Sequence, residues 1–225
     1  MGVVPMTIGI FDSGKGGEIV AKQLRYFFPE RQFSFLVVND QLHLPYGDKT
    51  PGEIARLADA AMQPLLEQAR IIIVACNTVT AVAISYLRAK YPDHSFIGFE
   101  PAIKPAANDT KAKKIMVLAT PTTLKSAKYL ALKKRYADGI KVIEPDCSTW
   151  ALKIENDESM AADLAAVVEL AQRENVDEIV LGCTHYLAIE KDLRANLPSN
   201  IAIVEPIAAI ARRLTDVIRD LSPKL

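Results

Sequence analysis

Eight short apolar runs, rich in β-branched residues, recur along the chain: TIGIF (7–11), FSFLVV (33–38), IIIVA (71–75), SFIGF (95–99), KIMVLA (114–119), KVIE (141–144), EIVLG (178–182) and IAIV (201–204). Longer segments with helical periodicity separate them, among them EIVAKQLRYFF (18–28), MAADLAAVVELAQRE (160–174) and IAAIARRLTDVI (207–218). In the last, Ile207, Ile210, Ala211, Leu214, Val217 and Ile218 repeat at three- and four-residue steps, with Arg212, Arg213 and Asp216 opposite. That spacing predicts a helix with one apolar face. Short strands alternating with helices predict βαβ units and mainly parallel sheets, an α/β fold.

The pattern also echoes itself. IGIFDSGKGG opens the first part and IMVLATPTTLKS the second, while IIIVACNT and EIVLGCTH close them. Asp12 and Cys76 are 76 − 12 = 64 positions apart, and Thr120 and Cys183 are 183 − 120 = 63. Two similar α/β halves are expected, each with a cysteine at the end of a corresponding strand. The boundary is expected near EPAIKPAANDTKAKK (100–114), where prolines and a charge run break the pattern. VEP (204–206) resembles FEP (99–101), which suggests that the final helix returns to the first half.

Composition narrows the partners. Half of the 225 residues are hydrophobic, 24% are charged and the formal net charge is zero, enough to bury a substantial core in one domain or two small ones. No basic tract points to nucleic acid or a membrane surface, so a small molecule or another protein is the expected partner. No apolar run approaches the roughly 20 residues needed to span a bilayer. The start lacks a signal-peptide pattern, and Gly2 is followed by Met6 where acylation needs Ser or Thr, so a cytoplasmic location is expected. Cys76, Cys147 and Cys183 form an odd set without CxxC spacing, which fits neither a disulfide framework nor a zinc site.

In open α/β sheets, ligands bind at the carboxyl ends of the strands. That rule gathers DSGKGG (12–17), DQLHLPYG (40–47) and CNT (76–78) in the first half, and TPTT (120–123) and CTH (183–185) in the second. DSGKGG fits neither GxxxxGK[ST] nor GxGxxG, and alone it reads as a strand-to-helix turn; so does PYG. No nucleotide or metal motif is present, so no cofactor is expected. Cys76 and Cys183 are different, because each is expected where a strand gives way to polar residues and a helix N-terminus whose dipole favours thiolate. Cys147 lacks that setting and reads as a packing residue. His185 suits either a structural histidine or a proton partner for Cys183, and Asp12 is the candidate partner for Cys76. Ser13, Asn77, Thr78, Thr120, Thr123 and Thr184 supply neutral donors for carboxylates. Two thiols on opposite faces of one carbon could invert it, one removing a proton and the other delivering one.

DSGKGG, PYG, VACNT, EPAIKPAA, LATPTTLKSAKY and LGCTHY, in this order, resemble the glutamate racemase branch of the cofactor-independent aspartate/glutamate racemase superfamily. The resemblance covers nearly the whole chain. It implies two pseudo-symmetric α/β domains, residues 1–98 with 205–225 and residues 99–204, each a mainly parallel sheet flanked by helices, with the active site between them. It implies that Cys76 deprotonates D-glutamate and Cys183 L-glutamate, assisted by Asp12 and His185 respectively. It places Asp12, Ser13, Tyr46, Gly47, Asn77, Thr78, Thr120, Thr123, Thr184 and His185 against substrate, and it allows a homodimer. The product D-glutamate would feed peptidoglycan synthesis. Aspartate racemases typically carry Glu where His185 stands, which favours glutamate. His43 occupies a place where members of the family often have arginine, and Glu18 one that is usually apolar. A racemase of aspartate or of broader specificity, and a non-catalytic carboxylate-binding protein of the same fold, remain the alternatives.

Overall fold

The computed structural model describes residues 5–28 and 32–221. Gly2, weighed above as an acylation site, lies outside them. Among the described residues, eight strands form two four-stranded parallel sheets. The first sheet holds β1 (Met6–Asp12), β2 (Phe33–Asn39), β3 (Ile71–Val74) and β4 (Ser95–Gly98) in the order β2-β1-β3-β4. The second holds β5 (Lys114–Leu118), β6 (Lys141–Ile143), β7 (Glu178–Leu181) and β8 (Ala202–Val204) in the order β6-β5-β7-β8. Each strand differs from its sequence expectation by no more than one residue at either end. The two orders are the same, so the echo in the sequence is an echo in topology. Such regularity has a simple source: parallel strands covered on both faces must be apolar throughout, as Ile71, Ile72, Ile73 and Val74 are, all of them buried.

The chain forms two compact units, Met1–Phe99 with Pro206–Leu225, and Glu100–Glu205. The first carries α1 (Gly16–Leu24), α2 (Pro51–Ala61), α3 (Gln63–Gln68) and α4 (Asn77–Lys90). The second carries α5 (Ile103–Asp109), α6 (Pro121–Lys125), α7 (Ala127–Tyr136), α8 (Trp150–Glu155), α9 (Ala161–Glu174) and α10 (Glu190–Asn196). The last helix, α11 (Ile207–Leu221), packs on α1 and β4 of the first unit and buries Ile207, Ile210, Ala211, Leu214 and Val217. Among the described residues, no helix is long and apolar enough to cross a membrane.

Local chemistry sets the helix limits. Thr50 and Glu53 form a capping box ahead of α2, with Pro51 at a position that needs no N–H donor. Asn175 ends α9 in the left-handed region (φ 56°), which asparagine tolerates better than most side chains. Two expectations are corrected. The helix expected over 18–28 runs from Gly16 to Leu24, and Tyr26 and Phe27 follow in a tighter turn with their side chains exposed, where no packing rewards a further helical turn. The interruption at 100–114 contains α5, because Pro105 falls in its first turn, where the missing N–H costs no hydrogen bond.

The core of the first unit joins Phe11, Ile54, Met62, Leu65, Ile72, Val74, Val79 and Leu87, and its buried set includes Tyr46 and Cys76. That of the second centres on Ile115, Val117, Ala119, Tyr129 and Val180. Packing is tight where β4 meets α4: a Cβ on Gly98 would lie 2.5 Å from Ile84 Cδ1 and 2.6 Å from Thr80 Cγ2. Thr80 has little freedom to give way, since its hydroxyl donates to the Val74 carbonyl at 3.0 Å. Gly98→Ala is therefore expected to destabilise the protein by about 2 kcal/mol, read as a lower urea midpoint at unchanged m-value.

Candidate active site

Parallel pairing carries the polar residues of the first unit to one edge. β1 pairs with β3 so that Phe11 is opposite Val74, and the Ala75 N–H donates to the Phe11 carbonyl at 2.8 Å. On the other side, the Asp40 N–H donates to the Asp12 carbonyl at 3.0 Å. Asp12, Ser13, Asp40, Cys76, Asn77 and Thr78 thus leave the carboxyl ends of three adjacent strands. Asp12, Ser13, Cys76, Asn77 and Thr78 are all buried. Ser13 Oγ lies 3.3 Å from Cys76 Sγ, the Gly14 N–H donates to Asp12 Oδ2 at 3.0 Å, and Asn77 Nδ2 donates to the Phe99 carbonyl at 3.2 Å.

The expected dipole-stabilised thiolate is corrected at Cys76. Burial pushes this thiol up, and the Asp12 carboxylate beside it pushes further, to about 11. Ser13 and the N–H groups of Val79 and Thr78 oppose the rise, although the sulfur makes no capping hydrogen bond to α4. The cost of taking a thiolate into an apolar cluster exceeds what one helix end returns.

Tyr46 and Gly47 sit in a short 3-10 turn after the cis Leu44–Pro45 peptide, Tyr46 buried and Gly47 half-buried. The Tyr46 hydroxyl donates to Asp40 Oδ2 at 2.6 Å, and His43 Nδ1 lies 2.8 Å from Asp40 Oδ1. Burial, then the Asp40 hydrogen bond and the negative charge of Asp40, keep the Tyr46 phenol firmly protonated. Asp40 is thus a site residue that sequence reasoning left out. Its signal is the phenol itself, because a buried tyrosine hydroxyl needs an acceptor and DQLHLPY offers one acidic residue.

In the second unit the same register step recurs, with Leu118 opposite Leu181 and the Gly182 N–H donating to the Leu118 carbonyl at 2.7 Å. Thr120 caps α6, and its hydroxyl donates to Thr123 Oγ1 at 3.0 Å. Thr120, Thr123, Cys183, Thr184 and His185 are all buried. Cys183 precedes a 3-10 segment, Thr184–Ile189, rather than the expected α-helix, so the aligned dipole beside it is shorter. An imidazole stands by the sulfur instead, His185 Nδ1 lying 3.8 Å from Cys183 Sγ. On its far side, Nε2 is 2.9 Å from Glu155 Oε2. Glu155, at the end of α8, was not foreseen. Nothing in the local sequence marks it, since its partner is 30 residues away and reaches it only through the packing of α8 on the 3-10 segment.

Cys147 is buried, its thiol pushed up to about 12 by burial and then by Asp146. Its carbonyl accepts from the Tyr186 hydroxyl at 3.0 Å, a packing role. Among the described residues, no group of three or more His, Cys, Asp or Glu is arranged to hold a metal ion.

The raised thiols make stability depend on pH. A thiol whose folded pKa exceeds its unfolded value near 9 adds stability that is complete below pH 9 and is lost as pH rises through the folded value, about 11 for Cys76 and about 12 for Cys147. Urea unfolding is therefore expected to show a loss on the order of 1 kcal/mol per thiol per pH unit above about pH 9, and Cys147→Ala to flatten that slope.

Residues 30–214 match the Asp/Glu/Hydantoin racemase family. The chain belongs to that family. It is 38% identical over 218 residues to the glutamate racemase of Stutzerimonas stutzeri (strain A1501), covering 95% of this chain and 82% of the relative. It is 37% identical over 223 residues to that of Pseudomonas aeruginosa (strain UCBPP-PA14), covering 97% and 83%. Among solved structures, that of Escherichia coli glutamate racemase in complex with L-glutamate and the activator UDP-MurNAc-ala superposes with a TM-score of 0.83 at 30% identity, covering 94% of this chain and 82% of that one.

Proposed function

We infer that the chain is a glutamate racemase, an isomerase that interconverts L- and D-glutamate by moving the α-proton between two cysteine thiols without a cofactor. One observation carries the reading: the same topology presents a cysteine at the same strand exit in both units, Cys76 beside Asp12 and Ser13, and Cys183 beside His185, whose far side meets Glu155. Binding a carboxylate needs no thiol, whereas inverting a carbon needs an acid on one face and a base on the other.

The chemistry balances within the protein and substrate. With D-glutamate, the Cys76 thiolate takes the α-proton, the C–H electron pair stays on carbon, and the Cys183 thiol donates its proton to the opposite face, leaving L-glutamate and a Cys183 thiolate. With L-glutamate the roles reverse. An amino-acid α-proton is far less acidic than a thiol, so the carbanion-like state must be stabilised where its charge develops, next to the α-carboxylate. Asn77, Thr78, Thr120, Thr123 and Thr184, with the Tyr46–Gly47 turn, supply donors for the substrate carboxylates. A thiol at about 11 is only about one part in ten thousand ionised at neutral pH. The substrate α-ammonium, drawn to Asp12, brings a positive charge that favours the Cys76 thiolate.

The D-glutamate formed is a building block for peptidoglycan synthesis. The test is the circular dichroism of L-glutamate incubated with the purified protein and no added cofactor. The signal is expected to decay to zero, with L-aspartate unchanged. Decay with aspartate alone would move the substrate assignment, and tight glutamate binding without decay would make the chain a binding protein.

A further inference from the structure

Resting on the two-thiol reading, we propose that Ser13 is a positioning residue for the Cys76 sulfur, its hydroxyl donating to the thiolate when Cys76 is the base and accepting from S–H when Cys76 is the acid. The contact is built by strand register. Phe11 faces Val74 across the β1–β3 pair, and two residues further along the chain from each, past the strand ends, come Ser13 and Cys76. Their side chains meet at 3.3 Å although 63 residues separate them in sequence. Ser13 is 4% exposed and Cys76 5%, so water competes little for either group.

The surroundings make this hydroxyl matter. Cys76 belongs to an apolar cluster with Phe11, Val74 and Val79, whose side chains cannot solvate an anion. Asp12, the other polar neighbour on β1, has Oδ2 turned to the Gly14 N–H, and its charge works against the thiolate. Ser13 works for it. A hydroxyl suits both halves of the catalytic cycle, because it can donate or accept by rotating about one bond, whereas an ammonium or amide N–H could only donate. Cys183 has a different attendant in His185, so loss of the Ser13 hydroxyl slows one of the two proton transfers and spares the other.

That asymmetry is what the experiment reads. Enantiomers have equal free energies, so kcat/KM must be the same in both directions for wild type and for every variant. A fall in rate therefore cannot show which thiol is affected. The α-deuterium isotope effect can, since deuterated D-glutamate gives its label to Cys76 and deuterated L-glutamate gives it to Cys183. For Ser13→Ala, kcat/KM is expected to fall about 10- to 100-fold, the size of a hydrogen bond to a charged group. The isotope effect on kcat/KM should rise with α-deuterated D-glutamate and shrink towards unity with the L-enantiomer. Ser13→Thr, which keeps the hydroxyl, should restore the wild-type pair of isotope effects. Near-ultraviolet circular dichroism reports whether each variant is folded.

An equal loss of rate with both isotope effects unchanged would mean that Ser13 only holds substrate, and the proposal fails. It fails equally if the two effects diverge in the opposite sense, or if Ser13→Ala keeps full activity. Absence of racemisation by the wild-type protein would instead remove the two-thiol reading itself, so the two failures are told apart.

Discussion

Cys76→Ala and Cys183→Ala are each expected to lower kcat/KM for glutamate racemisation by at least about 10³-fold while leaving the protein folded. On the two-thiol proposal each thiol would serve both directions, as base in one and acid in the other, so neither direction would survive the loss of either. Alanine carries no ionisable group, and a buried strand exit gives water little chance to replace the sulfur. The structural cost is small, because each substitution removes one sulfur atom beyond the end of a strand and leaves the strand pairing intact. Chiral chromatography of reactions begun from each enantiomer measures the loss. A single-thiol variant that keeps a tenth of wild-type activity would contradict the assignment.

The second large effect concerns the Cys183 side. Glu155 Oε2 at 2.9 Å from His185 Nε2 fixes the ring so that a neutral imidazole bears its proton on Nε2 and turns the bare Nδ1 towards Cys183, 3.8 Å away. On the two-thiol proposal, Nδ1 in that tautomer would accept the proton of the Cys183 thiol. His185→Asn is expected to lower kcat/KM about 10²-fold. Glu155→Gln should cost about tenfold, because an amide can donate as well as accept and no longer selects one tautomer. With α-deuterated L-glutamate, whose label goes to Cys183, the isotope effect should rise in both variants. Ser13→Ala is expected to do the reverse, so the two sets of variants separate the attendants of the two thiols. An activity loss after His185→Asn with unchanged isotope effects would place His185 in substrate binding alone.

The fold was legible because its rules are local and repeated. Runs such as IIIVA and KIMVLA are apolar throughout since both faces of a parallel strand are covered, and that demand is visible without knowing the neighbours. The echo of DSGKGG with TPTT, and of ACNT with GCTH, could be read for the same reason: one topology used twice puts polar residues at matching strand exits. What escaped the sequence depends on contacts across it. Glu155 meets His185 over 30 residues, and Asp40 gains its meaning only when the Tyr46 hydroxyl points at it. The ionisation of Cys76 escaped for a further reason. A helix start after a cysteine can be read from the residues, but the burial that outweighs it comes from an apolar cluster assembled from β1, α2, α3 and α4, to which Cys76 belongs.

On the two-thiol proposal, two different groups handle the proton on the two faces of one carbon. Racemisation of L-glutamate in deuterated water, stopped at a few per cent conversion and analysed by chiral chromatography with mass spectrometry, tests it directly. D-glutamate is expected to carry one α-deuterium, delivered by the Cys76 thiol, while the remaining L-glutamate keeps its protium. D-glutamate that retains the original protium, or L-glutamate that exchanges before product forms, would show a single group at work and contradict it.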